Sequence, residues 1–341
     1  MESVNTTLEF IREYTVVAQA FVWNHTVEIG AISYALLPIV PSFWGRSVWL
    51  KSKMFIMLVI SGLPTVICPQ TFLSFIYKTS FIMDETHIYL MRWIGILVIT
   101  QVLSCWLLSK SSDSTTETSQ LWAITVESGC DVLVKLFMYT HQPKKSLKFD
   151  NKMFSSLMLN AMMMFLVSLF FALRSTDWGG YAEQLSRRNM HIRLDSLLLF
   201  VFGVICFVSP SLFLNCQTDA EATDDFHLYL CRIVGAYLLY KAILSARSVN
   251  FLRDSDKDAV IFSHLIGYLM LITVFAVGQI KNWETKSIKS AALKSVDEIF
   301  LVFNTVFAMS MDIPKYLTKI LIPRVLQVPQ DLQRIVKIKR F

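Results

Sequence analysis

His87-Ile88-Tyr89-Leu90-Met91-Arg92-Trp93-Ile94-Gly95 opens an apolar run that continues to Leu108, with Arg92 its one formal charge. A run of that length matches the roughly 20 mostly apolar residues that a helix needs to cross the hydrocarbon core of a bilayer. The opening returns as His227-Leu228-Tyr229-Leu230-Cys231-Arg232-Ile233-Val234-Gly235. His, Tyr, Leu, Arg and Gly are identical at five of the nine positions, and Ile/Leu and Ile/Val are conservative changes. A membrane-spanning run that occurs twice decides the fold class: an all-α membrane protein built from two copies of one unit.

Outward from these two stretches the correspondence continues. Gly62 lies seven residues before Pro69, and Gly203 seven before Pro210. Phe72-Leu73 matches Phe213-Leu214, and Asn160 is placed like Asn304. Eight apolar runs are candidate spans: Lys53–Tyr77, His87–Leu108, Leu121–Tyr139, Met153–Leu173, Leu194–Leu214, Phe226–Leu244, Ala259–Val277 and Val296–Met311. The expected fold is about eight transmembrane helices formed by two parallel four-helix repeats, because an even number of spans per unit puts the units in the same orientation. The first repeat covers 51–175 and the second 190–313. Gly62, Gly95, Gly203 and Gly235 are expected to permit close helix packing.

Composition agrees. Of 341 residues, 54% are hydrophobic and 17% charged, and the mean hydropathy is +0.49. A soluble domain carries about 25% charged residues, so lipid is needed to cover part of this surface. The net charge of +6 comes from basic residues in loops and at the C-terminus. They read as topology signals and not as a nucleic-acid footprint. The six cysteines, Cys68, Cys105, Cys130, Cys206, Cys216 and Cys231, show neither metal-ligand spacing nor a disulfide framework.

Lys and Arg in short loops set the orientation. One side receives Arg46, Lys51, Lys53, Lys110, Arg174, Arg187, Arg188, Arg193, Arg247, Arg253, Lys257 and the C-terminal basics. The other receives Lys78 and two groups of four lysines, in 144–152 and 281–294, together with the acidic loop Asn215–Asp225. The first side is expected to be cytosolic.

Both ends of the chain lie outside the repeats. Residues 1–50 show no basic leader, with Glu2, Glu9 and Glu13 in its place. Leu8–Trp23 has the pattern of an amphipathic helix. Val27–Trp44 is compatible with an interfacial segment, a re-entrant segment or a ninth span. In the last case Asn5 and Asn24, each in a glycosylation triplet, face the lumen. The basic segment 314–341 is expected to lie on anionic lipid at the cytosolic surface. Lys337 and Lys339, fifth and third from the end, have the spacing of a dilysine signal for retrieval to the endoplasmic reticulum.

Ionisable side chains inside a membrane cost about 2.5–3.5 kcal/mol each on insertion scales, so each needs a partner or water. The candidates are Arg92, Glu127, Asp131, Lys135, Arg232, Lys241, His264, Asp297 and Glu298. Arg92 and Arg232 are the repeated pair, and either bind an anionic group or pin their units. Glu127, Asp131 and Lys135 fall at i, i+4 and i+8, on one helix face, with Asp131 in reach of Lys135. That face must look into the bundle, as a polar path or as an interhelical ion-pair network. Asp297 and Glu298 are the expected partners of Arg232. Lys241 stands where the first half has Gln101. His264 suits an interhelical hydrogen bond or titration near neutrality. No nucleotide loop, zinc motif or nucleophile elbow occurs.

Each half resembles the small four-helix proteins of the tumour protein p53-inducible protein 11 family. The similar features are a first span ending at Pro69 or Pro210, a short loop, and a second span running from Tyr89 to Gly95 or from Tyr229 to Leu239. The duplication, the arginine before the glycine and the N-terminal segment depart from that pattern. The resemblance implies a membrane fold and supplies no catalytic residue. The sequence therefore favours a non-enzymatic accessory, scaffold or regulatory subunit of the endoplasmic reticulum. Its expected partners are membrane lipids and a membrane protein, with no nucleic acid, metal or cofactor. The alternative is a transporter or channel for a small solute, ion or lipid.

Overall fold

The computed structural model describes residues 38–76, 84–141, 151–177, 186–217 and 224–281, and these residues are helical throughout, with short connections. A 3-10 turn, Val40–Trp44, ends at Gly45, whose φ of 97° suits glycine alone and turns the chain into α1. Nine helices follow: α1 (Arg46–Ile67), α2 (Pro69–Ile76), α3 (Glu85–Leu108), α4 (Ser114–His141), α5 (Asn151–Arg174), α6 (Arg187–Val208), α7 (Pro210–Gln217), α8 (Asp225–Ser248) and α9 (Asp254–Lys281). Among the described residues, six of these are long and apolar enough to cross a membrane: α1, α3, α5, α6, α8 and α9. Helix α4 is longer than most of these but carries the Glu127, Asp131 and Lys135 face.

Two expected spans begin and end elsewhere. Lys53–Tyr77 and Leu194–Leu214 were drawn through a proline, whereas the chain breaks at both prolines. Cys68 (φ −133°, ψ 64°) ends α1 and Pro69 opens α2; Ser209 (φ −125°, ψ 60°) ends α6 and Pro210 opens α7. A residue before proline is pushed out of the helical region, while proline itself suits the first turn of a new helix. The helices therefore extend backwards, to Arg46 and Arg187. The expected eighth span, Val296–Met311, lies outside the described residues. So do Asp297, Glu298, Asn5, Asn24, Lys337, Lys339 and the C-terminal segment.

Helices α3 and α8 form the centre. Over their best-spanning windows 67% and 72% of residues are buried, against 22% in α5 and 28% in α1 and α6. The outer helices turn Phe55, Leu133, Phe170, Leu197 and Phe200 outward, as lipid-facing surfaces do. Glycines bring α1 onto α3 and α6 onto α8. A Cβ on Gly95 would reach the carbonyl oxygen of Gly62 at 3.0 Å, and one on Gly235 would reach that of Gly203 at 2.8 Å. The helices that follow the central pair are exchanged. Helix α4, next after α3, packs on α5 and α8, while α9, next after α8, packs chiefly on α3. The described cysteines, Cys68, Cys105, Cys130, Cys206 and Cys231, are free thiols.

Candidate functional site

Three polar groupings occupy the interior: a histidine clasp at one end of the central pair and two charged clusters along the bundle.

At the clasp, the sequence Asp-x-x-His occurs at Asp84–His87 and at Asp224–His227, just where α3 and α8 start. Each aspartate caps its own helix by accepting the backbone N–H of its histidine at 2.9 Å. Each histidine Nδ1 accepts the backbone N–H of its aspartate, at 3.3 and 3.1 Å, which closes a capping box. This assigns the remaining proton to Nε2, which reaches across. His87 Nε2 donates to Asp224 at 3.3 Å and His227 Nε2 to Asp84 at 3.0 Å. The two rings stack with centroids 3.7 Å apart. Burial opposes the charge on Asp84, but the His87 backbone N–H and the His227 imidazole outweigh it and hold the carboxyl below its ordinary value. Ligand atoms of Asp84, His87 and His227 lie within 4.8 Å of one another, close enough for one cation. Such an ion would have to displace the hydrogen bonds that already use both nitrogens of each ring.

The first charged cluster lies on α4. Its Glu127, Asp131 and Lys135 share the expected face, and that face looks inward. Lys135 Nζ donates to Asp131 Oδ2 at 2.5 Å. Gln101 of α3 donates to Glu127 Oε2 at 2.5 Å, and Lys53 of α1 stands 3.9 Å from the same oxygen. Two cavities of about 110 and 140 Å³ adjoin this face. Both are lined by Ser61, Glu127, Asp131, Lys135 and Tyr237; Lys53 and Asn160 add to the first and Tyr229 to the second.

The second cluster joins α6, α8 and α9. Asp195 accepts from Tyr268 at 2.9 Å, from Ser245 at 2.8 Å and from His264 Nδ1 at 2.9 Å. Lys241 lies with Nζ 5.0 Å from the Tyr268 ring centroid. Its ammonium also sits 3.0 Å from where a Cβ on Gly267 would be, so only glycine leaves it that space.

Sequence reasoning thus found Glu127, Asp131, Lys135, Lys241 and His264 but missed their partners Lys53, Gln101, Asp195, Ser245 and Tyr268. Lys53 and Asp195 stand at the start of the expected spans; because α1 and α6 begin seven residues before those spans do, both fall well inside the bundle. The repeated arginines do not join these clusters. Arg92 is half-buried, and Arg232 lies over the ring of Phe137 at 4.5 Å. At the far end from the clasp, Arg46 pairs with Glu117 at 2.7 Å, Arg247 donates to Ser119 at 3.1 Å, and Ser111 donates to Asp256 at 2.5 Å. Arg46 and Arg247, two of the basic residues assigned to one side by sequence, lie at this end.

Spanning-length helices around an ionisable interior define a polytopic helical protein of the membrane class. Within it, the chain belongs to the family described as a domain of unknown function (DUF8292), whose family model matches residues 53–311. No curated protein and no solved structure matches the chain.

Proposed function

We propose that this protein is a duplicated multi-pass transporter or channel that passes a small charged solute or an ion along the Glu127–Asp131–Lys135 face. The observation that carries this reading is the pair of cavities on that face. A network whose sole task is to lock helices gains most when it is packed solid, because dry contact strengthens each ion pair and voids forfeit dispersion contacts. Here the charged residues border open space instead. The matching proline breaks, capping boxes and glycine crossings support the duplication. The lysine and arginine distribution supports a cytosolic basic end, and the Lys337/Lys339 spacing supports residence in the endoplasmic reticulum. No enzymatic step is assigned to these residues.

The test is a thermal-shift screen of the purified protein with sodium, potassium, chloride, lactate and glutamate, repeated on Asp131→Asn. A salt that raises the melting temperature of the wild type but not of the folded variant supports the reading. No response to any of these probes by wild type, with an unchanged melting temperature in Asp131→Asn, sinks it.

A second reading has its own observation. Lys135 and Asp131 satisfy each other within one helix, as they would in a rigid accessory or scaffold subunit acting through a membrane partner. That reading expects a stoichiometric partner in gentle-detergent purifications, lost on Arg92→Ala or Arg232→Ala.

A further inference from the structure

The second cluster holds two atoms that hydrogen bonding leaves over. Among the described residues, Lys241 Nζ and His264 Nε2 are buried without a hydrogen-bond partner, and their side chains are about 1% exposed. The Asp195 carboxylate, by contrast, is fully engaged. Because His264 Nδ1–H donates to Asp195, the neutral ring presents a bare lone pair at Nε2. Lys241 presents N–H bonds. One unused donor and one unused acceptor thus occur around the same stretch of α9, which carries His264, Gly267 and Tyr268 within two turns. Buried polar atoms are rarely left so, and ordered water is their usual partner.

We propose that Lys241, His264 and Asp195 form a proton relay. In its first state Lys241 is an ammonium, His264 is neutral and Asp195 is a carboxylate. Lys241 gives a proton to a bridging water as that water gives one to His264 Nε2. The nitrogen lone pair stays on Lys241, and the imidazolium now carries the charge. The cluster sums to zero before and after, so no net charge is created inside the bundle. The positive charge moves from above a tyrosine ring to direct contact with Asp195, 2.9 Å away. That favours the transfer, while loss of the ammonium–ring attraction opposes it, which is the balance a reversible relay needs.

Among the described residues, the other groups that meet these three are uncharged: Thr100 of α3, Ser245 of α8, and Gly267 and Tyr268 of α9. Next to Thr100 on α3, Gln101 donates to Glu127 of α4, and its Oε1 is a third buried atom without a partner among the described residues. The relay rests on the transport reading for its purpose, which is to couple solute passage to a proton.

Nitrogen NMR of histidine-labelled full-length protein in nanodiscs reads the site itself, with the His264 signal assigned by its loss in His264→Asn. Asparagine keeps a donor near the Nδ1 position and removes the titrating nitrogen. The relay predicts that at a fixed pH Nε2 of His264 is shared between lone pair and N–H, and that Lys241→Met, which removes the proton donor, shifts this balance. A ring held wholly in one form, or a balance indifferent to Lys241→Met, overturns the relay. Proteoliposomes with entrapped pyranine, driven by valinomycin and a potassium gradient, read the flux. His264→Asn is expected to lower proton flux roughly tenfold or more, as loss of a positioned proton carrier does; unchanged flux overturns the relay as well. Failure of the cavity reading shows differently, as an absent solute response with His264 exchange intact.

Discussion

Asp84 makes two bonds of different kinds, one to its own helix and one to the opposite half. Loss of a helix cap costs about 1 kcal/mol, and loss of a hydrogen bond to a charged group about 1.5–3 kcal/mol. The Asp84 side chain is about half-exposed, which screens the second bond, so Asp84→Ala is expected to destabilise the fold by about 2–3 kcal/mol in detergent unfolding, below the simple sum. In a double-mutant cycle with His227→Ala the two losses overlap; strict additivity would show that the cross-bond contributes nothing. The pH dependence follows from the depressed carboxyl. Stability from Asp84 is complete above its unfolded value of 3.8 and is lost as the pH falls through the lower folded value. A melting temperature that drops between pH 7 and pH 5 through this residue is the opposite of what is expected. The clasp was legible in part. His87 and His227 stood out in the repeated stretch, but the signal that assigns their role is the aspartate three residues earlier, a capping-box spacing that hydropathy does not weigh. What neither residue could announce is the reach across, since nothing local in the chain says that two distant helix starts meet.

At the scale of the helix, the decisive features are where α1 and α6 begin and how closely they approach the centre. Hydropathy located both helices but misplaced their ends by about two turns or more, because the apolar run continues past a proline that the backbone treats as a stop. Restoring the early start carries Lys53 inside, beside Glu127. Removing one partner of a buried charge pair costs about 3–5 kcal/mol, and the 3.9 Å separation places this pair at the lower edge. Lys53→Met is expected to lower stability by about 3 kcal/mol, and adding Glu127→Gln should return most of it because the glutamine needs no counter-charge. If the double variant is no more stable than Lys53→Met alone, the two charges are not coupled. The glycine crossings give a second expectation for the same elements. A methyl on Gly235 would meet the backbone N of Phe207 at 2.7 Å and the carbonyl of Gly203 at 2.8 Å, atoms that cannot swing aside. Gly235→Ala should cost about 1–3 kcal/mol, in the range of overpacked cores. A variant that melts with the wild type would mean that α6 and α8 are free to separate. These crossings were the best-read part of the helix packing, since small residues at matched positions are a sequence-level mark of close approach.

At the scale of the whole molecule, the exchanged packing has a consequence for folding. Helix α4 leaves α3 and covers α8, and α9 leaves α8 and covers α3. Each half therefore lacks, on its own, the helix that closes its central face. Alone, α3 would expose Leu90, Ile94 and Leu97 and the polar Thr100 and Gln101, all buried here. The interior charges divide differently: Lys53, Gln101 and Glu127 are joined within the first half, and Asp195, Ser245 and His264 within the second. Periodicity tells which face of a helix is buried, and it is silent on which helix covers that face; that is why the sequence suggests boundaries at 51–175 and 190–313 while α4 packs on α8 and α9 on α3. Two fragments, residues 1–180 and 181–341, should therefore behave as obligate partners. Expressed separately, each is expected to be unstable in mild detergent. Co-expressed, they should co-purify at one to one and recover the melting temperature of the intact chain to within a few degrees, because the linker contributes only loop-closure entropy that changes slowly with length. Disrupting the clasp with Asp84→Ala plus Asp224→Ala should weaken the fragment complex more than the intact protein, since the covalent link no longer shares the work of holding the halves together. Two fragments that are each monodisperse and stable alone would show that the halves fold as separate four-helix units, and the exchanged packing of α4 and α9 would have to be abandoned.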